Sequence, residues 1–106
     1  MNDRFLSLLG LARRAGKCEL GFDAAKESII KNKSRLLVLA SDISPNTEKN
    51  INFFASENGT TTVFKTEYTE EDLYGAIGKS VKIISLTDSG FAKKALALLN
   101  EASGKE

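Results

Sequence analysis

The sequence predicts an α/β fold, a three-layer α/β/α sandwich with helices on both faces of a four-stranded sheet. Three observations predict it. Helical and strand periodicities alternate along the 106 residues in the order α-β-α-β-α-β-α-β-α. Leu36, Leu37, Val38, Leu39 and Ala40 form an unbroken apolar run, the mark of a central strand covered on both faces. The helical segments are also punctuated by side chains that start and stop helices, among them Ser44-Pro45, Thr69 and Asp88 at starts and Gly16, Gly59 and Gly78 at stops.

The first helix takes Asn2 or Asp3 as its N-cap, carries Phe5, Leu8, Leu9 and Ala12 at three and four spacing, and stops at Gly16. Lys17 to Leu20 alternates polar and apolar, which predicts a short strand with Cys18 and Leu20 facing inward. A second helix is expected over Gly21 to Lys33, with Phe22, Ala25 and Ile29 on its apolar side. The apolar strand Arg35 to Ala40 follows and ends at the polar turn Ser41-Asp42-Ile43. Open α/β sheets place ligands at such strand ends.

Ser44 and Pro45 open a third helix lined by Ile51, Phe54 and Ala55, and Asn58-Gly59 ends it. Thr60 to Lys65 is β-branched and aromatic and predicts a strand. Thr69-Glu70-Glu71-Asp72 resembles a capping box for a fourth helix carrying Leu73, Ala76 and Ile77. Val81 to Leu86 predicts the last strand, and Asp88 caps a final helix with Phe91, Ala95, Leu98 and Leu99 inward. One domain over residues 1–102 is expected, with 103–106 a frayed tail.

Composition narrows the function classes. The chain has no histidine and a single cysteine, so zinc sites, internal disulfides and Cys–His catalysis lack their side chains. No metal, no cofactor and no membrane span are expected, the protein is expected to be a cytoplasmic monomer, and the missing imidazole lowers the expectation of an enzyme. The net charge is only +1, but it is unevenly divided: residues 1–35 carry eight Lys or Arg against four acids, and the remainder carries seven against ten. A basic patch on a near-neutral protein favours a small, defined polyanion site.

The stretch GFDAAKESIIKNK concentrates that chemistry. A glycine-opened helix start offers backbone N–H groups to an anion, and Lys26, Lys31 and Lys33 suit phosphate. A solvated amphipathic face explains the same lysines without a ligand. Arg13 and Arg14 either complement the first helix's dipole or contact RNA. Cys18 reads as a small hydrophobe before a nucleophile.

Read in order, LARRAGK, LGFDAAKESI, LLVLASDISPNT, LYGAIGKS and DSGFAKKAL resemble the kink-turn-binding ribosomal protein family, that of the archaeal seven-Ae and eukaryotic thirty-e large-subunit proteins. The similarity runs from Leu6 to Leu99 and is greatest to the short bacterial YlxQ-type members. It implies a four-stranded mixed sheet and an RNA site at one end of the sandwich. The family's second helix opens as Gly-x-Asn-Glu-x-x-Lys against the tandem sheared G·A pairs of a kinked duplex. Here Gly21 matches, Asp23 stands in place of Asn, Ala24 replaces the acid, and Lys26 comes one place early with Glu27 in its slot. An aspartate still accepts from guanine donors but cannot donate as an amide does.

Ser41-Asp42-Ile43 and Lys79-Ser80-Val81 resemble the family's other contact loops. The expected RNA contacts are therefore Gly21, Phe22, Asp23, Lys26, Lys31, Arg13, Ser41, Asp42, Ile43, Lys79, Ser80 and Val81. Val81 fits either a base contact or the first core position of the last strand, and Phe22 either a stacking ring or a core anchor. The resemblance implies a structured RNA partner, ribosomal RNA or another kink-turn RNA, and contact with the ribosome. A protein-interaction module on the same scaffold, without RNA binding, is the alternative. For a small-molecule enzyme only Asp42 is a candidate, with no second catalytic group at recognisable spacing.

Overall fold

The architecture follows from how each strand divides its side chains. In this computed structural model, which describes residues 3–59 and 61–102, the elements are α1 (Arg4–Arg14), β1 (Cys18–Leu20), α2 (Phe22–Ile30), β2 (Leu36–Leu39), α3 (Pro45–Asn58), β3 (Thr62–Lys65), α4 (Glu70–Ile77), β4 (Ile83–Leu86) and α5 (Ser89–Ala102). The sheet order is β1-β4-β2-β3. β2 and β3 are parallel, while β4 is antiparallel to both β1 and β2, so the sheet is mixed as expected.

Along β2 the pleat sends Leu36 and Val38 to one face and Leu37 and Leu39 to the other. The first face packs under α1, α4 and α5, with Phe5, Leu9, Ala12, Leu73, Ile77, Ala95 and Leu99 buried there. The second packs under α2 and α3 through Ala25, Ile29, Ile51 and Ala55. Two buried apolar faces make three layers.

The capping signals act where the sequence places them. Asp3 accepts from the Leu6 amide at 3.0 Å, Ser44 accepts from Thr47, and Thr69 with Asp72 forms a reciprocal capping box. Gly59 and Gly78 close α3 and α4 with φ of 73° and 74°, the left-handed conformation that favours glycine. Several boundaries are tighter than expected: β1 begins at Cys18 instead of Lys17, α2 ends at Ile30 instead of Lys33, β2 spans Leu36–Leu39 instead of Arg35–Ala40, β3 begins at Thr62, and β4 begins at Ile83 instead of Val81. Asn32 takes φ 61°, which stops α2 before Lys33. Asn2, Thr60 and residues 103–106 lie outside the described residues, and so do the expectations attached to them.

Cys18 and Leu20 pack against the first core face, with Glu19 between them exposed. Burial pushes the Cys18 thiol above its ordinary value, an effect that Arg13 opposes and Glu19 reinforces. On the second face the polar exception is a chain of buried hydroxyls: Ser28 Oγ lies 2.8 Å from Ser85 Oγ, which donates to Ser34 Oγ at 2.8 Å. No described helix is long and apolar enough to cross a membrane.

Candidate nucleic-acid interface

Register alone brings the family-like loops to one end of the sheet. Leu20 pairs with Ile84, and Leu39 pairs with both Ile83 and Lys65. The C-terminal ends of β1, β2 and β3 therefore coincide with the start of β4. Helices α2, α3 and α4 all begin there, and the Gly78–Lys82 segment enters β4 from there.

Backbone hydrogen bonds stitch these segments together. Gly21 N donates to Ile83 O at 2.9 Å, Ala40 N to Lys82 O at 2.9 Å, and Ser41 N to Tyr68 O at 2.7 Å. A Cβ built on Gly21 would stand 3.8 Å from Val81 Cγ1, so the α2 start and the loop before β4 are in contact. Gly21 itself takes φ 94°, open to glycine and strained for other residues.

The three helix starts differ in what satisfies them. Ser44 caps α3. At α4, Thr69 and Asp72 cap each other's amides, and Asp42 Oδ1 accepts from the Glu70 amide at 3.0 Å. At α2, Gly21 has no side chain to offer and no side chain caps the helix. This leaves the positive end of the α2 dipole for an incoming acceptor, beside the exposed Asp23, Lys79 and Ser80.

Not every expected residue reaches this site. Lys31 caps the far end of α2, about 15 Å along the helix axis from Gly21, and pairs with Glu27 at 3.1 Å. The helical i,i+4 spacing that joins it to Glu27 carries it away from the loops at the strand end. The same pair turns Glu27 toward the far end of the helix. Ile43 is 5% exposed and packs with Ile51 and Leu37 in the core, because the turn after β2 folds it inward. Val81, 8% exposed, is a core residue at the rim. Phe22 is half-buried against the second core face.

Arg13 meets the site indirectly. Its Nη1 donates to Ile77 O at 2.6 Å, filling a carbonyl at the end of α4 just before the Gly78–Lys82 segment. Asp42 is likewise engaged at α4. Lys26 leans sideways toward α3, with Nζ 4.5 Å from the centre of the Phe54 ring.

Two residues outside the expected set also stand at this end. Lys82 follows Val81 and pairs with Glu70 at 3.4 Å, and Lys65 closes β3 and pairs with Glu48 at 3.1 Å. The alternation of Val81-Lys82-Ile83, with a half-exposed Lys between buried positions, is the signal that marks Lys82. Among the described residues no group of three or more His, Cys, Asp or Glu is placed to hold a metal ion.

Known proteins resemble the chain in both sequence and fold. It is 33% identical to the RNA-binding protein YlxQ of Enterococcus faecium over 94 residues, covering 89% of each chain. It is 31% identical to the Bacillus subtilis protein of the same name, covering 88% of this chain and 92% of that one. The large ribosomal subunit protein eL30 of Dictyostelium discoideum is 31% identical, with 79% and 76% covered. A Bacillus halodurans protein of unknown function superposes with a TM-score of 0.84 at 29% identity, over 93% of this chain and 99% of that one. The Giardia lamblia 15.5kD RNA binding protein shares the fold at a TM-score of 0.71 and 14% identity, covering 98% and 92%. The model of the ribosomal protein L7Ae/L30e/S12e/Gadd45 family matches residues 3–96, and the chain belongs to that family.

Proposed function

We propose that this protein is a non-catalytic, cytoplasmic RNA-binding protein that holds a kinked or bulged structured RNA, ribosomal RNA or another kink-turn RNA, at the strand end of its sandwich. The observation that carries the reading is the contact between the uncapped α2 start at Gly21 and the loop at Val81. The names borne by its relatives in Enterococcus and Bacillus point the same way.

The chemistry divides by residue. Gly21 lets the RNA backbone approach the α2 amides, which donate to a phosphate oxygen at the positive helix end. Lys79 and Lys26 supply cations, and Lys82 joins them when a phosphate replaces Glu70 beside it. The Asp23 carboxylate accepts from the imino and amino groups of a guanine. Ser41, Ser80, Phe22 and Val81 frame the site, with Val81 at the rim against an unstacked base. Arg13 and Asp42 hold α4 at its two ends and so set the Gly78–Lys82 segment that follows it.

Lys79→Ala and Lys26→Ala test this reading. Each removes one phosphate contact and lowers the steepness of the salt dependence by about one unit, with affinity falling on every RNA alike. Affinity unchanged in both variants would place the RNA elsewhere.

A second reading, a protein-docking module, draws support from the other face. Leu11 is 51% exposed beside an α1–α4 groove of about 530 Å³ floored by Gly10, Gly75 and Ala76. Recovery of one defined protein, and no RNA, on the immobilised chain would favour it.

A further inference from the structure

Phe53 is 57% exposed, more than any other large apolar side chain among the described residues. A lone exposed ring has no special meaning, but this one has neighbours of a particular kind. Its ring stands edge-on to Phe54, with centroids 5.4 Å apart and planes at 76°. Lys26 Nζ lies over Phe54. Lys49 precedes Phe53 by four residues on α3, so it occupies the same helix face one turn nearer the strand end.

Neither Lys26 nor Lys49 joins an ion pair among the described residues, whereas Lys31, Lys65 and Lys82 each hold a carboxylate. Glu48, the acid next to Lys49, is taken by Lys65, and Glu57 lies one turn beyond Phe53, farther from the strand end. The pair of rings is thus bracketed by unpaired ammonium groups on the side that faces the proposed RNA site. Lys26 stands about 8 Å along α2 from Gly21, and Phe53 about 12 Å along α3 from Pro45. Both helices start at the strand end, so each lysine lies on the strand-end side of Phe53 along its helix axis.

We propose that Phe53 and Phe54, with Lys26 and Lys49, form a stacking platform for single-stranded nucleotides that run off the structured RNA held at the strand end. The proposal rests on the RNA-binding reading above and extends its footprint. A base stacks on the exposed face of Phe53, and its flanking phosphates meet Lys49 and Lys26. Stacking on a ring tolerates any base, so the platform adds affinity without adding sequence preference. Unpaired lysines beside the rings distinguish this surface from an apolar protein-docking patch, which charged residues avoid at its centre.

The test uses the full chain and three RNAs: a blunt kink-turn duplex, the same duplex with about eight unstructured nucleotides appended at either end, and that single strand alone. A 2-aminopurine in the single strand reports stacking. The extended RNA is expected to bind about ten-fold more tightly than the blunt one, with the fluorophore quenched. Phe53→Ala loses that increment, Phe53→Tyr keeps it, and both bind the blunt duplex as the parent does. Equal affinity for blunt and extended RNA, or an increment that survives Phe53→Ala, would overturn the platform and leave the patch to a protein partner. Blunt binding reads the strand-end site alone. If the blunt duplex fails while the single strand is still bound and quenched through Phe53, the kinked-RNA reading falls and the platform stands.

Discussion

Arg13 reaches across 64 residues of sequence to donate to the carbonyl of Ile77 at 2.6 Å, and so closes the end of α4 from the end of α1. At the other end of the same helix pair, the Tyr68 hydroxyl donates to Asp3 at 2.8 Å. The loop that enters β4 is therefore hung from α1. Arg13→Ala is expected to cost about 1 kcal/mol in urea unfolding, the scale of a charged donor on a partly exposed carbonyl. It should also weaken RNA binding while leaving the salt dependence as steep as before, since a positioning residue neutralises no phosphate.

Tyr68 gives the fold an alkaline limit. Burial foremost, then the hydrogen bond to Asp3 and the charges of Asp3, Asp72 and Glu67, push its phenol up from 10.0 to about 12. Between those values the unfolded chain has lost the proton and the folded one keeps it. The contribution is complete below about pH 10 and is lost as the pH rises toward 12. Screening of this half-buried group keeps the loss on the order of 1 kcal/mol. Comparing Tyr68→Phe with the parent across that window isolates it: the parent should lose stability more steeply than the variant.

Ser28, Ser85 and Ser34 share one buried chain of hydroxyls. Ser28 shares its one hydroxyl proton between Ala25 O, 2.7 Å away, and Ser85 Oγ, so Ser85 is the link that joins α2 to the segment before β2. Ser85→Ala leaves the Ser34 oxygen without its donor and should cost about 1–2 kcal/mol by denaturant titration. A change within a few tenths of a kcal/mol would mean that the chain is not a stabilising network.

Most of the fold was legible because its signals are local. Caps at Asp3, Ser44 and Thr69 and stops at Gly59 and Gly78 act within one helical turn, and the pleat of Leu36–Leu39 needs no partner to be read. The site was legible only in part. Gly21, Asp23, Lys79 and Ser80 come together because strand register brings their loops to one end, and register is a property of pairing across the sheet. Lys31 stood close to Gly21 in sequence and far from it in space, since α2 carries it away. Ile43 sits in a polar loop by composition, yet the turn folds it into the core. The engagement of Arg13 with Ile77 and of Asp42 with Glu70 spans distances that no spacing rule covers.

Gly21 couples stability to the site. At φ 94° and ψ 169° a side chain is strained, although a Cβ would meet Val81 at an ordinary contact distance. Gly21→Ala should therefore cost about 1–3 kcal/mol through the backbone alone. In the proposed complex the same methyl stands where the RNA backbone approaches, so affinity should fall further than stability explains. Affinity unchanged in folded Gly21→Ala would remove the α2 start from the interface.

The most direct measurement is a binding titration of the intact protein against a kink-turn RNA and a matched duplex lacking the G·A pairs, each at two salt concentrations. Tight binding that needs the G·A pairs and persists at the higher salt is expected. Equal affinity for both RNAs that collapses with salt would contradict it, reducing the site to a phosphate-binding patch.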